Sequence, residues 1–267
     1  MILFVVAAFY SGLTVRRYTV KTDKMALGES FRIVLITDLH SQVYGENQSE
    51  LVSLIKEQQP DVLLLVGDIA DDKIPFRGVQ LLLEGIRGIA PAYYVTGNHE
   101  FWSSDVESMK EVIRSYGVKV LEGEYEQRIA GGTVITFAGI DDPDLELFEH
   151  SSREWADQME SAFQSLQNES GFKILLSHRP ELIDEYKKYD FDLVVSGHSH
   201  GGQIRIPLIL NGLYAPDQGW FPKYAGGLYK HSALTHIVSR GASNPLPVPR
   251  IFNPPEVVVI DVKGSAE

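Results

Sequence analysis

At 267 residues, 44% of them hydrophobic, the chain can bury one large core and sits near the upper end of what a single core supports, so one catalytic domain is expected. The absence of cysteine excludes a disulfide framework and thiolate-held zinc, which leaves His, Asp, Glu and Asn as metal-ligating side chains. A formal net charge of −12 argues against a broad grip on a nucleic acid backbone, so nucleic acid is not an expected partner, and an anionic substrate has to be attracted by locally bound cations.

Met1 to Val15 is apolar and then meets Arg16 and Arg17. This stretch is shorter than the roughly 20 residues of a spanning helix, and it lacks the basic start and small-residue cleavage site of a secretory signal. Residues 1–15 read as a membrane anchor that is short or truncated, as an interfacial anchor, or as a buried terminal segment; residues 16–267 read as a single catalytic domain. If Arg16 and Arg17 flank an anchor on its cytoplasmic side, the protein is membrane-associated with its catalytic domain in the cytoplasm.

From Phe31 onward β-rich apolar runs alternate with amphipathic helical stretches, the pattern of a layered α/β fold. FRIVLIT predicts a strand ending at Asp38. NQSELVSLIKEQQ sets Leu51, Leu54 and Ile55 at helical spacing, with Asn47 as a cap, Glu50 three residues later and Pro60 as a stop. DVLLLVGD reads as a strand covered on both faces. A helix near Val79 to Ile86, a strand through Ala92 to Val95, and a helix opened by Ser104 with Glu107 and closed by Gly117 follow. The second half is richer in strands: TVITFAGI, FKILLSH, FDLVVSG, THIVSRG and EVVVIDV, with one helix around Trp155, Met159, Phe163 and Leu166. Gly201 to Pro249 is rich in Gly, Pro and aromatics and reads either as a substrate rim or as a cover over a sheet edge.

Five motifs fall at or just after predicted strand ends: Asp38-Leu-His40, Gly67-Asp68, Gly97-Asn98-His99-Glu100, His178 and Gly197-His198-Ser-His200. In layered α/β folds, ligand sites form outside the carboxyl ends of strands. In an extended segment residues i and i+2 point the same way, so Asp38 with His40, and His198 with His200, can each present two ligands to one place. Taken singly each motif reads as turn chemistry or a structural histidine. Together they hold five of the eight histidines beside hard oxygen donors, which predicts a dinuclear metal site. Gly67, Gly97 and Gly197 each precede a ligand where a positive φ or close approach would penalise a side chain. Arg179 reads as a surface arginine at the start of the helix ELIDEYKKYD, with Pro180 in its first turn, or as a contact to a substrate phosphate. His231 lies near the rim, either in solvent or against substrate, and nothing in the sequence gives His150 or His236 a role.

In their order, these motifs resemble the signature of the calcineurin-like metallophosphoesterases, from about Phe31 to His200. The resemblance implies a four-layered α/β/β/α sandwich of two mixed β-sheets flanked by helices, and a metal-dependent phosphoric ester hydrolase. It implies two divalent metal ions, drawn from manganese, iron, zinc, nickel or cobalt. One would be held by Asp38, His40, Asp68 and His200, the other by Asp68, Asn98, His178 and His198, with Asp68 as the bridge. Metals about 3.5–4 Å apart can share a hydroxide nucleophile and hold the phosphoryl oxygens of an in-line displacement. His99 would be the general acid, its imidazole oriented by Glu100 or a nearby carboxylate.

Gly197 to Pro254 is similar to a membrane-associated bacterial branch akin to UDP-2,3-diacylglucosamine pyrophosphatases. That similarity implies a phosphodiesterase or pyrophosphatase whose phosphate-ester or pyrophosphate substrate is lipid-linked. A phosphomonoesterase, including a phosphoprotein phosphatase, is the alternative enzyme, and a non-catalytic interaction scaffold is the alternative outside enzymes. Scaffolds are expected to lose ligands or the general acid, and this chain keeps them all. Leu208, Leu213, Tyr214, Trp220, Phe221, Tyr224 and Leu228 follow the last ligands and either face a bilayer or pack inward as loop core.

Overall fold

The computed structural model describes residues 2–103, 105–148, 154–244 and 248–266. Its central strands carry unbroken aliphatic runs, and such strands need cover on both faces. In one sheet the order is β1 (Thr14–Thr22), β14 (Glu256–Gly264), β2 (Ser30–Ile36), β3 (Val62–Val66), β4 (Ala92–Val95) and β5 (Lys119–Val120). In the other it is β12 (Gly227–His231), β13 (Leu234–Val238), β9 (Leu193–Ser196), β8 (Phe172–Leu176), β7 (Thr133–Gly139) and β6 (Glu124–Ala130). A separate hairpin joins β10 (Tyr214–Ala215) to β11 (Gly219–Trp220). Strands β2 to β5 run parallel, as do β7, β8, β9 and β13, while β14 is antiparallel to β2 and β6 and β12 form antiparallel edges, so both sheets are mixed.

Alternation along each strand divides the core into three layers. Ile33, Leu35, Leu64 and Val66 meet Ile135, Phe137, Ile174, Leu176 and Val195 between the sheets. Their neighbours Val34, Ile36, Leu63 and Leu65 turn outward under α2 (Ser49–Glu57) and α3 (Arg77–Ile86), which contribute Leu51, Ile55, Leu82 and Ile86. On the far side Ala138, Leu175 and Val194 are covered by α7 (Trp155–Phe163) and α8 (Ile183–Tyr186) through Trp155, Met159, Phe163 and Tyr186. This is the four-layered sandwich the motifs imply. The sheet-to-sheet packing sets the carboxyl ends of β2, β3 and β4 beside those of β8 and β9.

Several local expectations give way. Helix α2 begins at Ser49, because Asn47 and Gln48 both take left-handed backbone (φ 52° and 67°), so Asn47 does not cap it. The buried Gln48 instead accepts from the Tyr44 N–H at 2.6 Å and donates to the Gln42 and Gly78 carbonyls. Ser104 lies outside the described residues; α5 (Val106–Ser115) starts after it, and Glu107 pairs with Lys110 at 3.1 Å. The helix expected at Pro180 is a single 3-10 turn, Pro180–Leu182, followed by the short α8. Strands β1, β6 and β12 were not expected; β6 and β12 carry no alternating apolar signal, whereas β1 alternates only briefly, with Tyr18 and Val20 turned to the core. Strand β1 takes Thr14 and Val15 into the first sheet, paired with Glu256 and Val257, and ahead of it lies α1 (Ile2–Ala8). Among the described residues no helix is long and apolar enough to cross a membrane.

Candidate metal centre

Just beyond the ends of β2, β3, β8 and β9 the chain turns sharply and delivers Asp38, Asp68, His178 and His198; Asn98 opens α4 (Asn98–Trp102) after β4. Asp38, His40, Asp68 and His200 bring one donor atom each to within 4.8 Å of one another, and Asp68, His178 and His198 form a second such group. Asp68 belongs to both. Its Oδ2 lies 3.1 Å from His178 Nε2 and 3.7 Å from His40 Nε2, and Asp38 Oδ1 lies 3.6 Å from His200 Nε2.

The paired donors do not converge through extended backbone. Asp38, His40, Asp68, His198 and His200 all have positive φ, between 46° and 66°. Each such residue stores roughly 1–3 kcal/mol of strain, which persists only where the surroundings over-determine it. Here the Asp38 N–H donates to the Gly67 carbonyl (3.0 Å), the His40 N–H to the Asp68 carbonyl (2.9 Å), and the His198 N–H to Asp38 Oδ1 (2.9 Å). Of the three glycines, Gly67 has both a φ of +73° and a close approach: a Cβ there would sit 2.3 Å from His178 Nδ1. At Gly97 and Gly197 proximity alone decides, with Asp68 Oδ1 and Asp38 Oδ2 at 2.3 and 2.5 Å.

Asp38 Oδ2, His40 Nε2, Asn98 Oδ1 and His178 Nε2 are buried and have no hydrogen-bond partner. An orphaned buried polar atom costs about 1–3 kcal/mol, so these four need partners, and nitrogen and oxygen donors of this kind fit divalent cations. The rings are set for that purpose. His178 Nδ1 lies 3.0 Å from the Val66 carbonyl and His40 Nδ1 3.0 Å from Asp71 Oδ2, which places their protons on Nδ1 and turns Nε2 inward. His198 is reversed: its Nε2 lies 2.7 Å from Asp217 Oδ2 and 3.3 Å from Arg179 Nη1, which leaves Nδ1 for the Asp68–His178 group.

Burial opposes a charge on His178, but the nearby Asp68 and Asp38 carboxylates outweigh burial and hold its pKa up at about 10. Burial would raise Asp68, yet His178 and His40 keep it well below the usual carboxylate range. Glu100 is pushed up to about 7 by burial and by Asp68.

Glu100 does not orient His99. Its carboxylate accepts the backbone N–H groups of Asp68, Ala70 and Gly97 at 2.8–2.9 Å and so pins the β3 and β4 turns together. The carboxylate beside His99 is Asp72, with Oδ1 2.8 Å from Nδ1, and Asp71 Oδ2 stands at 3.5 Å. Arg179 is not a surface residue. It is buried, with Nε 2.6 Å from Asp142 Oδ2, Nη2 2.8 Å from Asp144 Oδ1, and Nη1 paired with Asp217, and these carboxylates hold its pKa above the usual arginine range against the opposing effect of burial. His236 is buried 3.3 Å from Ser196 Oγ, and His231 packs at a tilt in the same aromatic cluster with Tyr224. His150 lies outside the described residues.

The donors open into a cavity of about 660 Å³ whose walls include Asn98, His99, Trp102, Arg179, Tyr214 and Asp217. Asp71, Asp72 and Asp217 are the site residues that sequence reasoning missed. The run Gly-Asp-Ile-Ala-Asp-Asp was a usable signal for the first two; Asp217, on the β10–β11 turn, had none. The rim residues divide: Leu208, Tyr214, Trp220 and Phe221 are exposed, Leu213 and Leu228 are half-buried, and Tyr224 is buried in the outer core.

A model of the calcineurin-like phosphoesterase family matches residues 31–202. The chain is 30% identical over 260 residues to an uncharacterized metallophosphoesterase of Aquifex aeolicus (strain VF5), covering 95% of this chain and 93% of that one. It is 29% identical over 243 residues to a transmembrane protein with metallophosphoesterase domain of Danio rerio, covering 88% of this chain and 53% of that longer protein. Among solved structures, the sulfate thiohydrolase SoxB of Thermus thermophilus superposes with a TM-score of 0.56 at 12% identity, covering 87% of this chain and 56% of that one, which shows the shared fold. Donors gathered at the strand ends of a double sheet, with the family match running across them, agree: the chain belongs to the calcineurin-like phosphoesterase family and is a metal-dependent phosphoester hydrolase.

Proposed function

We propose that the chain hydrolyses a phosphodiester or pyrophosphate. In this reading Asp38, His40, Asp68 and His200 hold one divalent cation, Asp68, Asn98, His178 and His198 hold the other, and His99 is the general acid. When bound, such a pair supplies an activated water and neutralises charge on the phosphoryl group. The observation that carries the reading is the His99–Asp72 pair at the wall of the donor cavity. Asp72 holds Nδ1 of the ring, which leaves Nε2 to give a proton to the leaving oxygen. Asp68 Oδ1 accepts the His99 backbone N–H at 2.9 Å, which ties the acid to the shared ligand.

The preference for a diester over a monoester rests on charge. Asp71, Asp72, Asp144 and Asp217 line the cavity, and its two basic side chains are already matched, Lys73 by Asp72 and Arg179 by Asp142, Asp144 and Asp217. A dianionic monoester meets more repulsion there than a monoanionic diester. The exposed Tyr214, Trp220 and Phe221 beside the cavity support a substrate with an apolar, lipid-linked group presented at a membrane. The test is a panel of bis-p-nitrophenyl phosphate, p-nitrophenyl phosphate and a nucleoside-diphosphate lipid, each with manganese, iron, zinc, nickel and cobalt. Faster turnover of the two diester-type substrates is expected, and a preference for p-nitrophenyl phosphate with every metal would overturn the reading.

A further inference from the structure

Arg205 to Asn211 form a tight hairpin closed by paired backbone hydrogen bonds between Ile206 and Leu210 (2.9 and 2.8 Å). At its tip Pro207-Leu208-Ile209 project from the molecule: Leu208 is fully exposed, Ile209 is 82% exposed, and Leu208 holds a left-handed backbone at φ 68°. A branched aliphatic in that backbone region, wholly in water, satisfies neither packing nor conformational preference. The hairpin forms one wall of a cavity of about 380 Å³, and the other walls carry Arg16, Arg240 and Phe252.

Three guanidinium groups, Arg16, Arg205 and Arg240, therefore gather beside the exposed leucine and isoleucine in a chain of net charge −12. The carboxylate paired with them is Glu256, which pairs closely with the buried Arg240 and stands 3.9 Å from Arg16, whose side chain is half exposed. Arg205 gives Nη2 to Asn211 Oδ1 at 2.5 Å, but its Nη1 is buried without a hydrogen-bond partner. A second apolar group adjoins. The Phe252 N–H donates to the Ala8 carbonyl at 2.7 Å, which fixes the end of α1 to the same wall, and Val5, Val6, Phe9 and Tyr10 are all exposed there.

We infer that this face docks on an anionic lipid bilayer, with Leu208 and Ile209 entering the acyl boundary and Arg16 and Arg205 meeting headgroup phosphates. A bilayer is the surface that offers an apolar interior under a negatively charged layer in that order. A second copy of the chain meeting this face about a two-fold axis would set arginines against arginines. The inference deepens the membrane-side part of the proposed function by naming the surface, and it does not depend on the reaction assigned to His99. Only Gly212 and Leu213 separate Asn211, on the docking cavity, from Tyr214, on the donor cavity, so a docked hairpin lies next to the mouth of the site.

The experiment is co-sedimentation of the full chain with vesicles of phosphatidylcholine alone and of equal parts phosphatidylcholine and phosphatidylglycerol. The double variant Leu208→Glu with Ile209→Glu, the variant Arg16→Glu, and hydrolysis of soluble bis-p-nitrophenyl phosphate as a folding control complete the set. The wild-type chain should sediment with the mixed vesicles and lose binding as salt rises. The double variant should bind at least about tenfold more weakly while keeping soluble activity. Arg16→Glu should lose roughly fivefold or more on mixed vesicles only, since each basic residue near an anionic surface contributes on the order of 1 kcal/mol. Wild-type chain left in the supernatant, equal sedimentation of the double variant, or an Arg16→Glu loss that is the same on neutral vesicles each overturns the inference. So does light scattering that shows a dimer abolished by Leu208→Glu with Ile209→Glu. Vesicle binding without diester hydrolysis would overturn the proposed reaction and leave the docking face standing; hydrolysis without vesicle binding does the reverse.

Discussion

The donor pit and the loop region that follows it are built in opposite ways. In the pit the donor side chains are buried and the turns that carry them are fixed: left-handed backbone at Asp38, Asp68 and His198, N–H groups donated to Asp38 and Asp68, and Glu100 bridging the β3 and β4 turns. In the segment after His200 the backbone is irregular, and its large apolar side chains, Leu208, Ile209, Trp220 and Phe221, stand in solvent. The pit spends conformational strain on a fixed donor geometry, whereas the loops keep surface available. Changes in the pit should therefore alter chemistry or metal content for every substrate, and changes in the loops should alter only which substrate or surface is met.

The largest effect should come from Asp68→Ala. Asp68 is the donor common to both groups, so metal content measured by elemental analysis and activity should fall to background together. A variant that keeps one metal and measurable turnover would separate the two halves of the pit. His99→Ala should be smaller and of a different kind, with a rate loss of roughly 10²–10⁴ and unchanged metal content. That loss should shrink when the leaving group is p-nitrophenol, which needs little protonation; an equal loss for good and poor leaving groups would remove His99 from the role of acid.

The same contrast explains what could be read from the sequence. The pit was legible because its ligands are short polar motifs placed where strongly apolar strands end, and strand ends converge in any layered α/β fold. What failed there was conformational detail: the spacing of Asp38 with His40 suggested extended backbone, but both lie at positive φ. Arg179 was misjudged because its partners Asp142, Asp144 and Asp217 come from distant parts of the chain, and nothing at position 179 records them. Strand β6, EYEQRIA, lies on a sheet edge with exposed or half-buried side chains, so it needs no apolar alternation and shows none. The hairpin that delivers Asp217 has only turn residues to mark it, and its position over His198 is set entirely by tertiary packing.

Asp217 is where the two regions touch, since it belongs to the loops but holds His198 Nε2 and Arg179. Carboxylates that orient a ligating imidazole typically change metal affinity by 10- to 100-fold when removed. Asp217→Ala should therefore weaken one metal by about that factor in a calorimetric titration and leave the other site's affinity unchanged. Asp217→Asn should recover part of the loss, because its amide oxygen can still accept from Nε2–H. An effect spread equally over both metals would place Asp217 in the rim alone.

The smallest effect should come from the β10–β11 hairpin itself. Trp220 is 68% exposed and Phe221 67% exposed, and their main visible side-chain contact is the Tyr214–Trp220 edge-to-face pair, with ring centroids 5.4 Å apart. Replacing both Trp220 and Phe221 with Ser removes little buried area, so the melting temperature should stay within a few degrees of wild type. Metal content and kcat on bis-p-nitrophenyl phosphate should not change, since neither side chain touches a donor. For a nucleoside-diphosphate lipid, whose apolar chain could cover these rings, KM should rise by roughly threefold to tenfold, the scale of partly burying apolar surface at a rim. A matched fall in kcat for soluble and lipid substrates would mean that the hairpin acts through Asp217 on the pit, and the division between fixed donors and permissive loops would then run beyond β11 rather than at His200.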